Sequence, residues 1–322
     1  MLSKIYDSIM NVLTTILFGP TKSTDNVFNL NWDYLIILDA CRYDVFSKVY
    51  KVFFSSNIKF EKIISLGSMT AEFVGNCFSD KEVLRKMQDV VFINSNPVVD
   101  KTLSNLGVDP KKVFYKYIPV WKKYWDYNIG TVMPENVYNV ALRTYINYPN
   151  KRMIIWFLQP HFPYLDEKFK HLNDIGKEFM NKSLLNNSEN NFIILLRILK
   201  RIITKGYLSA GIPEKLSEYM RHNSADVWRA YTSNLLSALK YVKKLAEILP
   251  GKIIITSDHG ESFGERLTKL LPMEIYGHPS RIRMPSLIEV PCLEVENNIS
   301  QKESIRKAYR DLLYSCIVVK ER

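Results

Sequence analysis

Cysteine is scarce in this chain of 322 residues. Its four cysteines, Cys41, Cys77, Cys292 and Cys316, show no paired metal-ligand spacing, and a chain this long needs no disulfide stapling. The expectation is a reducing, cytoplasmic location. A long apolar run is lacking too. Met1 to Gly19 places Leu2, Ile5, Ile9, Leu13 and Ile16 at helical spacing, but Lys4, Asp7 and Asn11 interrupt it, and a bilayer span needs about 20 mostly apolar residues. No small-residue cleavage pattern accompanies it, so the segment reads first as an arm packed on the domain, then as a membrane-surface helix, then as an uncleaved anchor. Acidic residues are the minority, 33 against 44 Lys and Arg, for a net charge of +11 and a pI near 9.3. The excess attracts anions: phosphorylated or sulfated small molecules, nucleic acid, or a membrane face bound peripherally. The basic residues are dispersed, and neither a zinc finger nor an aromatic RNA-binding signature occurs, which makes nucleic acid the weaker partner.

What the chain does have is alternation. Apolar runs at Tyr34–Leu38, Val90–Asn94, Met153–Leu158 and Lys252–Thr256, with a less certain one at Ser286–Val290, read as strands. Helical stretches separate them at Thr70–Phe78, Asp80–Met87, Glu135–Tyr148, about Ala225–Leu249 and about Lys302–Val318. The pattern predicts an α/β fold, a mostly parallel central sheet with helices on both faces. Residues 1–30 are expected to form the arm and a polar linker, and 31–322 one domain. Within it, 167–224 is rich in Asn, Lys and Ser and reads as an insert or lid, with a basic amphipathic run from Phe192 to Ile203.

Two strand ends carry chemistry. Ile253-Ile254-Ile255-Thr256-Ser257 stops at Asp258-His259-Gly260-Glu261, and Tyr34-Leu35-Ile36-Ile37-Leu38 stops at Asp39. Open α/β sheets place ligands at the carboxyl edge, so Asp39, Asp258 and His259 are expected to converge on a metal. Carboxylate oxygens with an imidazole nitrogen suit zinc or manganese rather than an all-oxygen magnesium or calcium site. Between the strand ends, Ser65-Leu66-Gly67-Ser68-Met69-Thr70 leads into a helix. A hydroxyl there is either an N-cap or a nucleophile, and both hold together if Ser68 caps and Thr70 attacks. Arg42 is a candidate for a substrate oxygen, with pairing to Asp44 as the competing role.

This ordered set, with Gln159-Pro160-His161-Phe162-Pro163-Tyr164 and Tyr276-Gly277-His278-Pro279, resembles the alkaline phosphatase and sulfatase superfamily. The resemblance covers about Asn31 to Val290 and implies an alkaline-phosphatase-like fold. It implies that Asp39, Thr70, Asp258 and His259 form a metal shell with Thr70 as both ligand and nucleophile. It places His161 and His278 where the superfamily holds a second metal or the transferred group. With one ion they would be acids or substrate contacts; with two they become ligands. Glu261 and Glu265 are expected to orient the imidazoles.

No Cys or Ser stands in the formylglycine pattern that the sulfatase branch converts, and Ala40 follows Asp39 where that branch usually has paired acids. Phosphate esters are therefore favoured over sulfate esters, and a metal-dependent hydrolase or phosphotransferase over a non-catalytic scaffold. The run Ser257 to Glu265 is similar to phosphoethanolamine and phosphoglycerol transferases that modify lipids and surface glycans, although these normally carry Glu where this chain has Asp39. A glycan or lipid ester is the implied substrate.

Overall fold

Three charge-free runs side by side make the centre of the molecule. A computed structural model describes residues 26–55, 58–184, 204–269 and 272–320. Its strands are β1 (Tyr34–Leu38), β2 (Ile58–Ile64), β3 (Val90–Asn94), β4 (Lys116–Pro119), β5 (Trp125–Asp126), β6 (Thr131–Val132), β7 (Arg152–Phe157), β8 (Tyr207–Ala210), β9 (Gly251–Ser257), β10 (Ser262–Arg266), β11 (Glu274–Gly277) and β12 (Glu289–Asn297). Seven form one sheet in the order β2-β12-β9-β1-β7-β3-β4, in which β12 alone runs against the rest.

Both faces of this sheet are covered, as the charge-free strands predict. Tyr34, Ile36, Leu38, Ile253 and Ile255 point into one core, with the helices Tyr43–Val49, Pro134–Asn147, Glu214–Ile248 and Gln301–Lys320 over it. Leu35, Ile37, Ile154 and Ile254 point into the other, under the helices Thr70–Phe78, Lys81–Lys86 and Pro97–Asn105. Each fully buried Ile or Leu contributes roughly 1.5–3 kcal/mol of burial free energy, so a polar residue is costly anywhere but at the strand ends. The expected α/β architecture is the observed one.

Three local expectations change. The helix expected from Ala225 begins at Glu214, but Asn223 breaks helical geometry (φ −134°, ψ 40°), so the regular apolar stripe does start just after it. The strand expected at Ser286–Val290 is a short helix, Pro285–Ile288, leading into β12; Pro285 sits in its first turn, where its missing N–H has no partner to lose. β2 escapes a search for apolar runs because it is an edge strand, Ile58-Lys59-Phe60-Glu61-Lys62-Ile63-Ile64, with charged side chains exposed. The arm Met1 to Gly19 and the run Phe192 to Ile203 lie outside the described residues. No helix among the described residues is long and apolar enough to cross a membrane.

Candidate metal centre and active site

Register explains why the two strand-end acids meet. β1 and β9 are parallel neighbours with Leu38 opposite Ser257, so the next residues, Asp39 and Asp258, leave the sheet side by side. On the other flank Leu38 stands opposite Phe157 of β7, whose continuation carries His161, and Asn94 of β3 stands opposite Trp156. Four adjacent carboxyl ends thus deliver Asp258-His259, Asp39, His161 and Asn96 to one place.

Asp39, Asp258 and His259 are buried and can each direct a ligand atom to one point. His259 Nε2 lies 3.4 Å from Asp258 Oδ2 and 3.7 Å from Asp39 Oδ1. Its Nδ1 is 2.7 Å from the Gly260 carbonyl, so Nδ1 carries the proton and Nε2 faces the acids with a lone pair. Burial lowers the His259 pKa, partly offset by Asp258, which keeps the ring neutral. Burial, then the charge of Asp258, raises Asp39 well above the carboxylate range. Two buried carboxyls beside an imidazole lone pair cannot both ionise without a cation, and a divalent ion resolves the conflict. The donor set fits such an ion.

Thr70 completes this group. Its Oγ1 donates to Asp258 Oδ2 at 2.8 Å and stands 3.2 Å from His259 Nε2. It is the first residue of the helix Thr70–Phe78, whose N-cap position, Met69, supplies no side-chain bond. The expected Ser68 cap does not form: its N–H and Oγ donate to Glu72 Oε2 at 3.1 and 2.9 Å, so the first-turn N–H groups beside Thr70 carry no side-chain cap and can face an anion.

His161, Glu261 and His278 form a second buried group able to direct ligand atoms to one point. The His161 and His278 rings are 5.0 Å apart, and His278 is 4.6 Å from His259, so the two groups adjoin. His161 Nδ1 bonds the Phe162 carbonyl, and His278 Nδ1 is 3.0 Å from Glu261 Oε1. Burial, then His278, pushes His161 down to about 4, and burial, partly offset by Asp258, takes His278 to about 4. Burial pushes Glu261 up to about 7, against the nearby histidines. Neutral rings with one nitrogen occupied offer lone pairs rather than protons, which suits ligation better than acid catalysis.

Arg42 and Glu265 are placed differently from expectation. The Arg42 guanidinium spends its donors on Asp44 (2.8 Å from Nε and 2.8 Å from Nη2), the Glu261 carbonyl (2.8 Å) and Glu265. It also stacks 4.5 Å over Trp228, and four of its five N–H donors are taken by protein partners, so the expected substrate contact gives way to the competing structural role with Asp44. Glu265 orients no imidazole; its Oε2 accepts from Ser262 Oγ and Phe263 N at 2.8 and 2.7 Å.

Several supports were not foreseen. Asn96 Nδ2 bonds Asp39 Oδ2 and lies 3.4 Å from Thr70 Oγ1, while its Oδ1 caps the next helix through Val98 N at 2.8 Å. The signal was available, since Asn96-Pro97 follows a strand end just as Asp39 does. Asn234 Nδ2 faces the carbonyls of Pro160, His161 and Pro163 at 3.2, 3.0 and 2.9 Å and clamps the His161 loop to the long helix. Two glycines make room. A Cβ on Gly260 would meet the Ser286 carbonyl at 2.1 Å, and one on Gly211 (φ +79°) would meet His278 Nε2 at 2.1 Å. Pairing of β8 with β11 brings Gly211 there; residue spacing holds no trace of it.

No protein-family model and no curated protein matches this sequence. Among solved structures, it is similar to the integral membrane protein lipooligosaccharide phosphoethanolamine transferase A from Neisseria meningitidis. That match has a TM-score of 0.50 and 13% identity over 85% of this chain and 50% of that one, so the chain spans about half the transferase's length. The soluble domain of the same transferase matches with a TM-score of 0.50 and 12% identity, over 85% of this chain and 81% of that one. The C-terminal periplasmic domain of phosphoethanolamine transferase C from Campylobacter jejuni gives 0.47 and 15%, over 81% and 77%. The fold is thus alkaline-phosphatase-like, the architecture that the strand-end motifs implied.

The same likeness corrects the expected cytoplasmic location, because the matched fold is the soluble domain of an integral membrane protein. The physical reason is that Cys41, Cys77 and Cys292 are free but buried. Burial hides a thiol from oxidant and partner thiols alike, so scarce unpaired cysteines do not report the compartment.

Proposed function

We propose that this chain is a metal-dependent phosphotransferase or phosphoester hydrolase with Thr70 as its nucleophile. One observation carries the reading: Thr70 Oγ1 sits at a helix N-terminus, 2.8 Å from Asp258 and 3.2 Å from His259, beside a cavity of about 170 Å³ that Asp39, His161 and His278 also line. The fold is one that houses phosphoethanolamine transfer in the matched transferase, which agrees with the proposal.

Asp39, Asp258 and His259 would hold one zinc or manganese ion, and His161, Glu261 and His278 a second. A divalent ion so held supplies positive charge that lowers the pKa of an adjacent hydroxyl and offsets phosphoryl charge. Thr70, now bonded to Asp258 Oδ2, would lose its proton to water as its oxygen attacks phosphorus. The Oγ1–P bond forms, the bond from phosphorus to the ester oxygen breaks, and the departing alkoxide takes a proton from water. The N–H groups opening the Thr70–Phe78 helix bind the phosphoryl oxygens throughout. Asn96 holds Asp39 in orientation. Water or an acceptor alcohol then attacks the phosphothreonine and returns Thr70 to its free form. The substrate is an anionic phosphate ester, in keeping with the basic net charge.

The test is direct. Protein supplied with zinc or manganese should release product from a chromogenic phosphate mono- or diester faster than from the matching sulfate ester. Mass spectrometry should find phosphate on Thr70 after quenching. Full activity in Thr70→Ala, or no turnover of any ester by protein that holds metal, overturns the reading.

A further inference from the structure

The cavity beside Thr70 has two unlike walls. One is the ligand cluster just described. The other is formed by Met69, Val98, Trp125, Leu158, Phe179 and Met180, and it is apolar throughout. Trp125 carries the one polar edge on that wall, and its Nε1 is spent on Asn181 Oδ1 at 3.1 Å. Among the described residues lining the cavity there is no Lys, Arg or Glu, and Asp39 is the only Asp, although the chain holds 44 basic residues.

This wall lies where the organic part of a bound ester must go, since the cluster side is taken by the phosphoryl group. A sugar would bring hydroxyls, and an aminoalkyl group three N–H donors, to side chains that offer no carboxylate, amide or hydroxyl oxygen to accept them. An alkyl or aryl group loses nothing. The volume of about 170 Å³ is comparable to the roughly 150 Å³ apolar cavity that takes up benzene in another protein. Phe179 in this lining is 40% exposed.

We infer that the ester has an apolar alcohol next to phosphorus, alkyl or aryl, and that the subsite discriminates against aminoethyl and sugar groups. The inference rests on the phosphoester reading and deepens it. It also separates this chain from the matched phosphoethanolamine transferase.

Two measurements test it. Calorimetry on the full Thr70→Ala chain, loaded with zinc, compares methyl-, butyl- and 2-aminoethylphosphonate. Three added methylenes should tighten butylphosphonate over methylphosphonate roughly 50-fold, with the aminoethyl compound no better than methyl. Equal binding of all three, or a preference for 2-aminoethylphosphonate, overturns the inference. Val98→Thr, which keeps the volume and adds a hydroxyl, should shrink the butyl-to-methyl ratio to below about 10, and Met180→Gln should do the same; an unchanged ratio in both variants places the apolar contact elsewhere and overturns this subsite. Wild-type turnover of butyl phosphate, phosphoethanolamine and glycerol phosphate is the second measurement. Butyl phosphate should lead; equal rates for all three overturn the subsite while leaving the phosphoester reading intact. If none is cleaved the phosphoester reading falls, and the phosphonate ratios still decide the subsite.

Discussion

Asp39, Asp258 and His259 leave two neighbouring strands of one sheet, whereas His161, Glu261 and His278 follow three strands, β7, β9 and β11, the last of them in a different sheet. The first group is rich in carboxylate and crowds acceptors together; the second is rich in neutral imidazole and holds an acid whose pKa lies at about 7. Their tolerance of an empty state should therefore differ. Without a cation the first group holds two facing carboxyls and relies on a proton kept by Asp39, while the second holds one carboxyl, Glu261, bonded to His278, with His161 bonded to Phe162. A tighter site with two carboxylates and a weaker one with a single carboxylate is the physical expectation, and four experiments can break it.

The largest effect should come from the first group. Asp258→Asn removes the hydrogen-bond acceptor of Thr70 and one charge from the ion, so esterase activity should drop on the order of a thousand-fold or more, with one equivalent of metal lost by elemental analysis. Retention of two bound ions would show that the sheet edge is not the tight site. Next comes the second group: Glu261→Gln should cost about 10- to 100-fold in affinity for the second ion, read by competition with a chelator, and leave the first ion in place. Loss of both ions together would erase the distinction.

The pH dependence sharpens the same contrast. A buried carboxyl raised from 4.5 to about 7 keeps its proton in the folded state while the unfolded chain releases it, so stability falls as pH rises through that window. In metal-free protein the melting temperature of Glu261→Gln minus that of wild type should grow from about pH 4.5 to 7 and then level off. A flat difference would mean that Glu261 is already ionised when buried. The smallest expected effect on chemistry is at Arg42, which pins the Glu261 loop without facing the cavity. Arg42→Lys gives up the paired contact to Asp44 and should destabilise by about 1–3 kcal/mol in denaturant titration, with KM unchanged. A raised KM at unaltered stability would restore Arg42 as a substrate contact.

The carboxylate group was readable in advance because each of its members directly follows a run of apolar residues. Two buried strands ending in Asp need only parallel, in-register pairing to meet, and β1 and β9 supply it. The supports were harder to see, for reasons of distance along the chain. Asn234 reaches back 74 residues to the Pro160 carbonyl, and Gly211 meets His278 only because β8 pairs with β11. For Arg42 the pairing with its sequence neighbour Asp44 was one of the two roles in view, whereas its bond to Glu265, 223 residues away, left no trace in the spacing.

Residue order alone determined that apolar strands alternate with amphipathic helices, that polar clusters fall at strand ends, and that Thr70 opens a helix, because each is a local consequence of periodicity and backbone preference. Tertiary structure decided which donors face which lone pairs: that Arg42 is held by Asp44, Glu261 and Glu265, that Glu261 shares a site with two histidines, and that apolar side chains line much of the cavity beside Thr70. Those outcomes depend on contacts between residues far apart in the chain, where burial and geometry set the energy and spacing carries no information.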